Sequence, residues 1–187
     1  MNQDQDKHYT LTAVTLHWLV ALLILSLFGL GLYMSDLSLS PTKLRLINWH
    51  KWLGVTVFML VLVRLAWLAT HRPPALPASM PAWQRMGAHI AHGLLYVLMI
   101  VVPLSGWLMS SAKGFQTVYF GVLPIPDLLH KNPDLGKWLE DLHAWLNYGF
   151  MVLVAGHAGA ALWHHHWERD GVLARMVPWL RREEKQR

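Results

Sequence analysis

The chain has 187 residues, enough for one domain, and 54% of them are hydrophobic, 14% are charged and eleven are tryptophan. Soluble domains carry roughly 25% charged residues, so this composition points to a membrane protein. With no cysteine, disulfides, thiolate zinc sites, iron–sulfur clusters and thiol catalysis are excluded, and the net charge of +5 forms no stripe that would bind nucleic acid.

The polar N-terminus, MNQDQDKHYTLT, leads into an apolar run that is too long for a signal h-region and has no small-residue cleavage site. We expect it to be a retained first span over about 16–34. Further spans are expected over about 49–69, 87–109 and 138–163, the third with a kink or break at Pro103. Loops rich in turn residues join them. The longest, 110–137, contains LPIPD and is expected to form an external lid. Most tryptophans fall near the predicted span ends, as in an interfacial belt. The expected fold is therefore all-α: an integral membrane four-helix bundle. A polar tail over 1–14 precedes a transmembrane domain over 15–166, and a basic tail over 167–187 follows. No internal repeat is present.

Orientation follows from the basic residues. With both termini cytoplasmic, that side holds ten Lys and Arg, among them Lys7, Arg64, Arg72 and Arg85 and six in the last nineteen residues. The other side holds six: Lys43, Arg45, Lys51, Lys113, Lys131 and Lys137. Termini inside are expected.

Histidine spacing carries the chemistry. His143 and His157 are fourteen residues apart in one apolar stretch. Fourteen helical steps return to within about 40° of the same face and rise about 21 Å, most of a bilayer's ~30 Å hydrocarbon layer. His17 and His50 stand at the edges of two other spans. Span direction then sets their depths: His50 is level with His143 on the external side, and His17 is level with His157 on the cytoplasmic side. Four histidines so paired can supply two axial ligands to each of two haems. Without Cys-x-x-Cys-His these would be b-type and non-covalent. Iron with two axial imidazoles has no open position, which suits electron transfer. Gly54, one turn after His50, and Gly156, Gly159, Ala160 and Ala161 around His157 leave room for a flat ring, although small residues also serve helix packing.

A lone membrane histidine is ordinarily a hydrogen-bonded packing residue. Four at matched depths mark function instead, since intramembrane ionisable groups are costly. His89 and His92 share a face at the start of span three. They are candidates for a replacement ligand or for quinone or proton handling, against plain interfacial packing. His164, His165 and His166 read as a solvated helix end, with weak metal binding as the rival. His8, His71 and His130 receive no role. Arg64 needs a counter-charge, either a haem propionate or lipid phosphate, and Arg45 and Lys51 are comparable candidates for the external haem. Asn147, one turn from His143, is a local hydrogen-bonding or packing residue, and Trp145 and Tyr148 are expected to pack.

These segments resemble the bacterial cytochrome b561 family, grouped with the cytochrome b subunits of nickel–iron hydrogenases. The matching stretches are TLHWLV at 15–20, WHKWLGVTVFMLVLVRLAW at 49–67, AHIAHGLLYVLMIVVPLSGWL at 88–108, and LHAWLNYGFMVLVAGHAGAALWHHHWERDGVLARM at 142–176. The resemblance covers about 9–177 and implies a four-helix bundle holding two bis-histidine b haems, with ligands at His17, His50, His143 and His157. It implies electron transfer involving quinone in the bacterial inner membrane, amid lipid, and some members oxidise superoxide and reduce ubiquinone. The lack of a fifth apolar span favours a stand-alone member over a hydrogenase subunit. The basic external residues could attract superoxide, although Asp36, Asp127, Asp134, Glu140 and Asp141 dilute that field. One rival reading is a non-catalytic anchor relaying electrons for a periplasmic or peripheral dehydrogenase. The other is a histidine-lined metal transporter, weakened by the scarcity of carboxylates in the spans.

Overall fold

The computed structural model describes residues 9–77, 79–177 and 180. Lys7, His8, Arg181, Arg182, Lys185 and Arg187, which entered the orientation argument and the loop assignments, lie outside the described residues.

Four long helices account for most of the chain: α1 (Leu11–Ser35), α2 (Pro41–Thr70), α3 (Ala82–Ala112) and α4 (Pro133–Trp163). All four are long and apolar enough to cross a membrane. Each begins well before its apolar run, and at three of them a cap explains where. Thr10 Oγ1 accepts from Ala13 N, Ser40 Oγ from Lys43 N and Asn132 Oδ1 from Leu135 N, with Pro41 and Pro133 in the first helical turn behind the last two. The helices thus extend beyond the stretches that hydropathy marks, through turns that carry polar residues. The connections shrink to 36–40, 71–81 and 113–132. Of the kink or break expected at Pro103, a break does not occur, and α3 runs on through it.

The helices alternate in direction and pack chiefly as two hairpins, α1 on α2 and α3 on α4, with α2 also against α3. Val20, Val57, Val61, Met99, Val102 and Phe150 form the buried core, drawn from all four helices. Phe150 lies seven residues from both His143 and His157, so this apolar layer is sandwiched between the two histidine depths. Outside the bundle the surface is apolar: Leu22, Leu25, Val63, Val97 and Val152 are all exposed. Contiguous exposed aliphatic surface on helices of this length is what lipid covers. The chain is an integral membrane helix bundle.

The 113–132 connection folds over one end. It contains a two-stranded antiparallel ribbon, β1 (Val118–Tyr119) and β2 (Leu123–Pro124), whose turn places Phe120 and Gly121 at positive φ. Trp52 Nε1 donates to Val118 O, Lys51 Nζ to Phe115 O and Trp107 Nε1 to Pro126 O, so this cap is tied to α2 and α3. At the opposite end α4 continues into a π-helical turn (His164–Glu168), then turns back. Trp18 Nε1 donates to Met176 O and Arg175 Nη1 to Ala75 O, binding the C-terminal segment to α1 and to the 71–81 connection.

Candidate functional site

The four histidines meet in two pairs at two depths. His50 of α2 faces His143 of α4, with ring centres 6.3 Å apart and planes at 81°. His17 of α1 faces His157 of α4, also with centres 6.3 Å apart, at 65°. The pairing matches the one expected from span direction. Imidazole pairs in direct edge contact lie closer: 5.2 Å for His92–His157 and 5.0 Å for His165–His166.

At the first level, His143 is held by α3. Ser105 Oγ donates to Val102 O at 2.7 Å, which leaves it to accept from His143 Nδ1–H at 2.8 Å. A Cβ on Gly106 would come within 3.1 Å of His143 Cε1, so a larger residue would make the ring give by a few tenths of an ångström. Gly31 of α1 lies beside His50, where a Cβ would reach 3.4 Å, an ordinary contact. Between the two rings lies an apolar space walled by Ile24, Leu27, Val57, Val102 and Phe150. Gly54 also borders it, and a Cβ there would meet nothing within 4 Å. Asn147 reaches this space too, but its Nδ2 donates to His143 O on its own helix.

The second level is more polar. Arg64 Nη1 lies 3.1 Å from His17 Nδ1 and Arg64 Nε donates to Tyr96 Oη at 3.3 Å, with the guanidinium 5.7 Å from the Tyr96 ring centre. His92 touches His157, whereas His89, on the same helix, makes no ring contact among the described residues. Arg64 is thus brought to the histidines. Arg45 and Lys51 do not line the space between His50 and His143: Arg45 is exposed, and Lys51 is turned to the cap.

His164 departs from the expected solvated helix end. Its Nδ1 is 2.6 Å from Asp170 Oδ2 and 3.8 Å from Glu168 Oε2. Glu168 Oε1 in turn accepts from Gln84 Nε2. With Nδ1 committed to Asp170, this is a hydrogen-bonded closure of the π-helical turn. His165 makes ring contact with His166 and His166 with Trp167, and His71 stacks on Trp67. Among the contacts at the paired histidines, Ser105 and Tyr96 were missed in the sequence. Their signal was a polar residue inside an apolar run, Ser105 two positions past Pro103.

The donor set fits b-type haem. Two imidazoles bound on opposite sides of one metal ion, each through a bond of about 2.0–2.1 Å, have ring centres about 6.3 Å apart. Both pairs match that figure. With the Ser105 hydroxyl donating to Val102 O, the His143 tautomer that suits this bond carries its proton on Nδ1 and leaves Nε2 free to ligate. His50 Nδ1 is buried without a hydrogen-bond partner among the described residues. Such an orphan is costly in a purely structural core.

The sequence pattern of the prokaryotic cytochrome b561 family matches residues 8–179. Cytochrome b561 homolog 2 of Escherichia coli (strain K12) is 30% identical over 181 residues, 93% of each chain. Cytochrome b561 homolog 1 of the same organism is 30% identical over 179 residues, 92% of this chain and 98% of its own. A Yersinia pestis protein named probable superoxide oxidase CybB is 29% identical over 180 residues, covering 92% and 97%. With this match spanning nearly the whole length, the chain belongs to the prokaryotic cytochrome b561 family.

Proposed function

We propose that this protein is a di-haem electron-transfer cytochrome of the bacterial inner membrane that links an electron donor to quinone. Family membership establishes b-type haem binding and a membrane electron-transfer role. The observation that supports two haems is the pair of 6.3 Å histidine separations at two depths. His50 and His143 would hold one haem, and His17 and His157 the other. The shorter 5.2 Å contact of His92 with His157, against 6.3 Å for His17, favours His17 as the residue that would hold this haem together with His157.

Bound haem supplies a reversible one-electron centre with no open coordination position. The chain does the rest. Ser105 and Gly106 orient His143, and Gly31 lies beside His50. The layer around Phe150 and Val61 keeps water from the middle of the path. Arg64 places a positive charge at the second level and is the candidate partner for a propionate there. Arg45 and Lys51 keep a lesser claim at the first level, where Lys51 would have to leave Phe115 O. The ten-to-six distribution of Lys and Arg supports cytoplasmic termini, with the His17–His157 level toward the cytoplasm and the 113–132 cap outside. The same distribution supports 15–166 as the membrane domain, with the tails on the cytoplasmic side.

The Yersinia relative's name suggests superoxide as a donor. Two superoxide ions would yield two O2 and two electrons, and one quinone would take those electrons with two protons to become quinol. The cap end offers a mixed field for such an anion. Lys113 and Lys137 are ion-paired with Glu140, and Lys137 also with Asp141, while Lys43 and Lys51 donate to main-chain carbonyls. The test is quinol formation by the purified protein in liposomes containing ubiquinone under a steady superoxide flux. Quinol formation that is lost in His17→Ala supports the proposal. Absence of turnover until a copurifying dehydrogenase is added establishes the relay reading instead.

A further inference from the structure

The two histidine levels differ in what stands at Nδ1. At the His50–His143 level it is an acceptor: Ser105 Oγ takes the His143 Nδ1–H at 2.8 Å, its own proton being committed to Val102 O. Ser105 is 4% exposed, so water does not compete for that bond. A ligand histidine that donates its second ring proton is a more basic ligand, and a more basic ligand favours the oxidised metal. At the His17–His157 level it is a cation. Arg64 Nη1 lies 3.1 Å from His17 Nδ1, and Tyr96 Oη holds the same guanidinium through Nε.

Arginine has no acceptor and does not lose its proton. A neutral His17 that ligates through Nε2 carries its proton on Nδ1 and has no lone pair there to offer Arg64. The guanidinium then stands beside the ring as a charge, anchored by Tyr96. Among the described residues no carboxylate lies within ion-pair distance of Arg64, so none of them cancels its charge and only the propionate proposed above would screen it. A positive charge in a low-dielectric site favours an added electron.

Resting on the reading of one b haem per level, we propose that Ser105 is a positioning residue for His143 and that Ser105 and Arg64 set the electron affinities of the two levels apart. The first electron taken up comes to rest at the His17–His157 level.

The experiment is a potentiometric titration of the purified, haem-loaded protein, followed by its reduced-minus-oxidised spectrum. Four variants accompany the wild type: Arg64→Gln, Arg64→Lys, Ser105→Ala and Ser105→Thr. The wild type is expected to titrate in two one-electron steps. Arg64→Gln lowers the upper step by about tenfold in electron affinity, about 59 mV for one electron, and leaves the lower step in place. Arg64→Lys retains most of it. Ser105→Ala raises the lower step and leaves the upper, while Ser105→Thr, which keeps the hydroxyl, behaves as wild type. If Ser105→Ala instead loses haem, the lost step must be the lower one and Ser105→Thr must keep it. Arg64→Gln acting on the lower step, Ser105→Ala acting on the upper, or no movement in either, overturns the inference. Failure of the underlying reading shows earlier and separately, as a wild-type protein with fewer than two haems per chain.

Discussion

Gly106 offers a graded test of how the histidine seats work. A Cβ added there would stand 3.1 Å from His143 Cε1 and 3.4 Å from Nδ1, while at Gly31 it would stand 3.4 Å from His50 Cε1. At Gly29 it would meet nothing within 4 Å. Ordinary carbon contacts lie near 3.5–4.0 Å, so Gly106→Ala must push the ring back by a few tenths of an ångström. The ring has little freedom, because Ser105 holds its Nδ1 from the neighbouring position on the same helix. Overpacking a well-filled site costs about 1–3 kcal/mol. If that strain is felt mainly in the ligand-competent geometry, haem affinity at this level falls by roughly 5- to 150-fold. The assay is haem loss to excess apomyoglobin, followed at the Soret band. Gly106→Ala is expected to release one of two haems much faster than wild type. Gly31→Ala should release one only slightly faster, and Gly29→Ala should match wild type. Equal behaviour of the three variants, or accelerated loss of both haems in Gly106→Ala, refutes the reasoning.

Other consequences are local. Burial, and after it Tyr96, pushes the Tyr9 phenol up from its ordinary value, against the opposing charges of Arg175 and Arg64. Its folded pKa therefore exceeds the unfolded one of about 10. The stability that neutral Tyr9 contributes is complete below that pH and is lost as pH rises through the folded value. Absorbance at 295 nm should show one tyrosine titrating late, and Tyr9→Phe should abolish that component. Trp18→Phe deletes the 2.7 Å bond to Met176 O. It should cost about 0.5–1.5 kcal/mol, read as a lower thermal midpoint, with faster hydrogen exchange in 170–177. Trp52→Phe deletes the bond to Val118 O in the cap. It should speed exchange in 115–124 while leaving haem content unchanged.

The helix count and the depth pairing were legible because both rest on periodicity. An apolar run marks a span, and alternating span direction fixes which histidines share a level. Helix ends were less legible. Hydropathy falls off where α2 and α4 emerge from the apolar layer, but Ser40-Pro41 and Asn132-Pro133 mark the true starts by capping chemistry that hydropathy ignores. Pro103 was read as a kink or a break because it lacks a backbone donor, and α3 continues past it, packed on α4. Arg64 was expected to meet a haem propionate or a lipid phosphate, since a charge in a span needs a partner. Its placement beside His17 Nδ1 and Tyr96 Oη depends on rotamers that one-dimensional spacing does not encode. Lys51 shows the opposite case. It is adjacent to His50 in sequence, yet consecutive residues point about 100° apart on a helix, and its amine goes to Phe115 O in the cap. Ser105 escaped notice because a serine in an apolar run is usually bonded to its own helix. This one is, through Val102 O, and it uses the remaining lone pair on His143.

The most direct test of the central claim is a haem count. Pyridine-haemochrome analysis of the purified protein, with its dithionite-reduced minus air-oxidised spectrum, should give two b haems per chain. His50→Ala and His17→Ala should each retain about one. A wild-type protein with a single haem, or a His17→Ala variant that still binds two, would contradict the paired-histidine account.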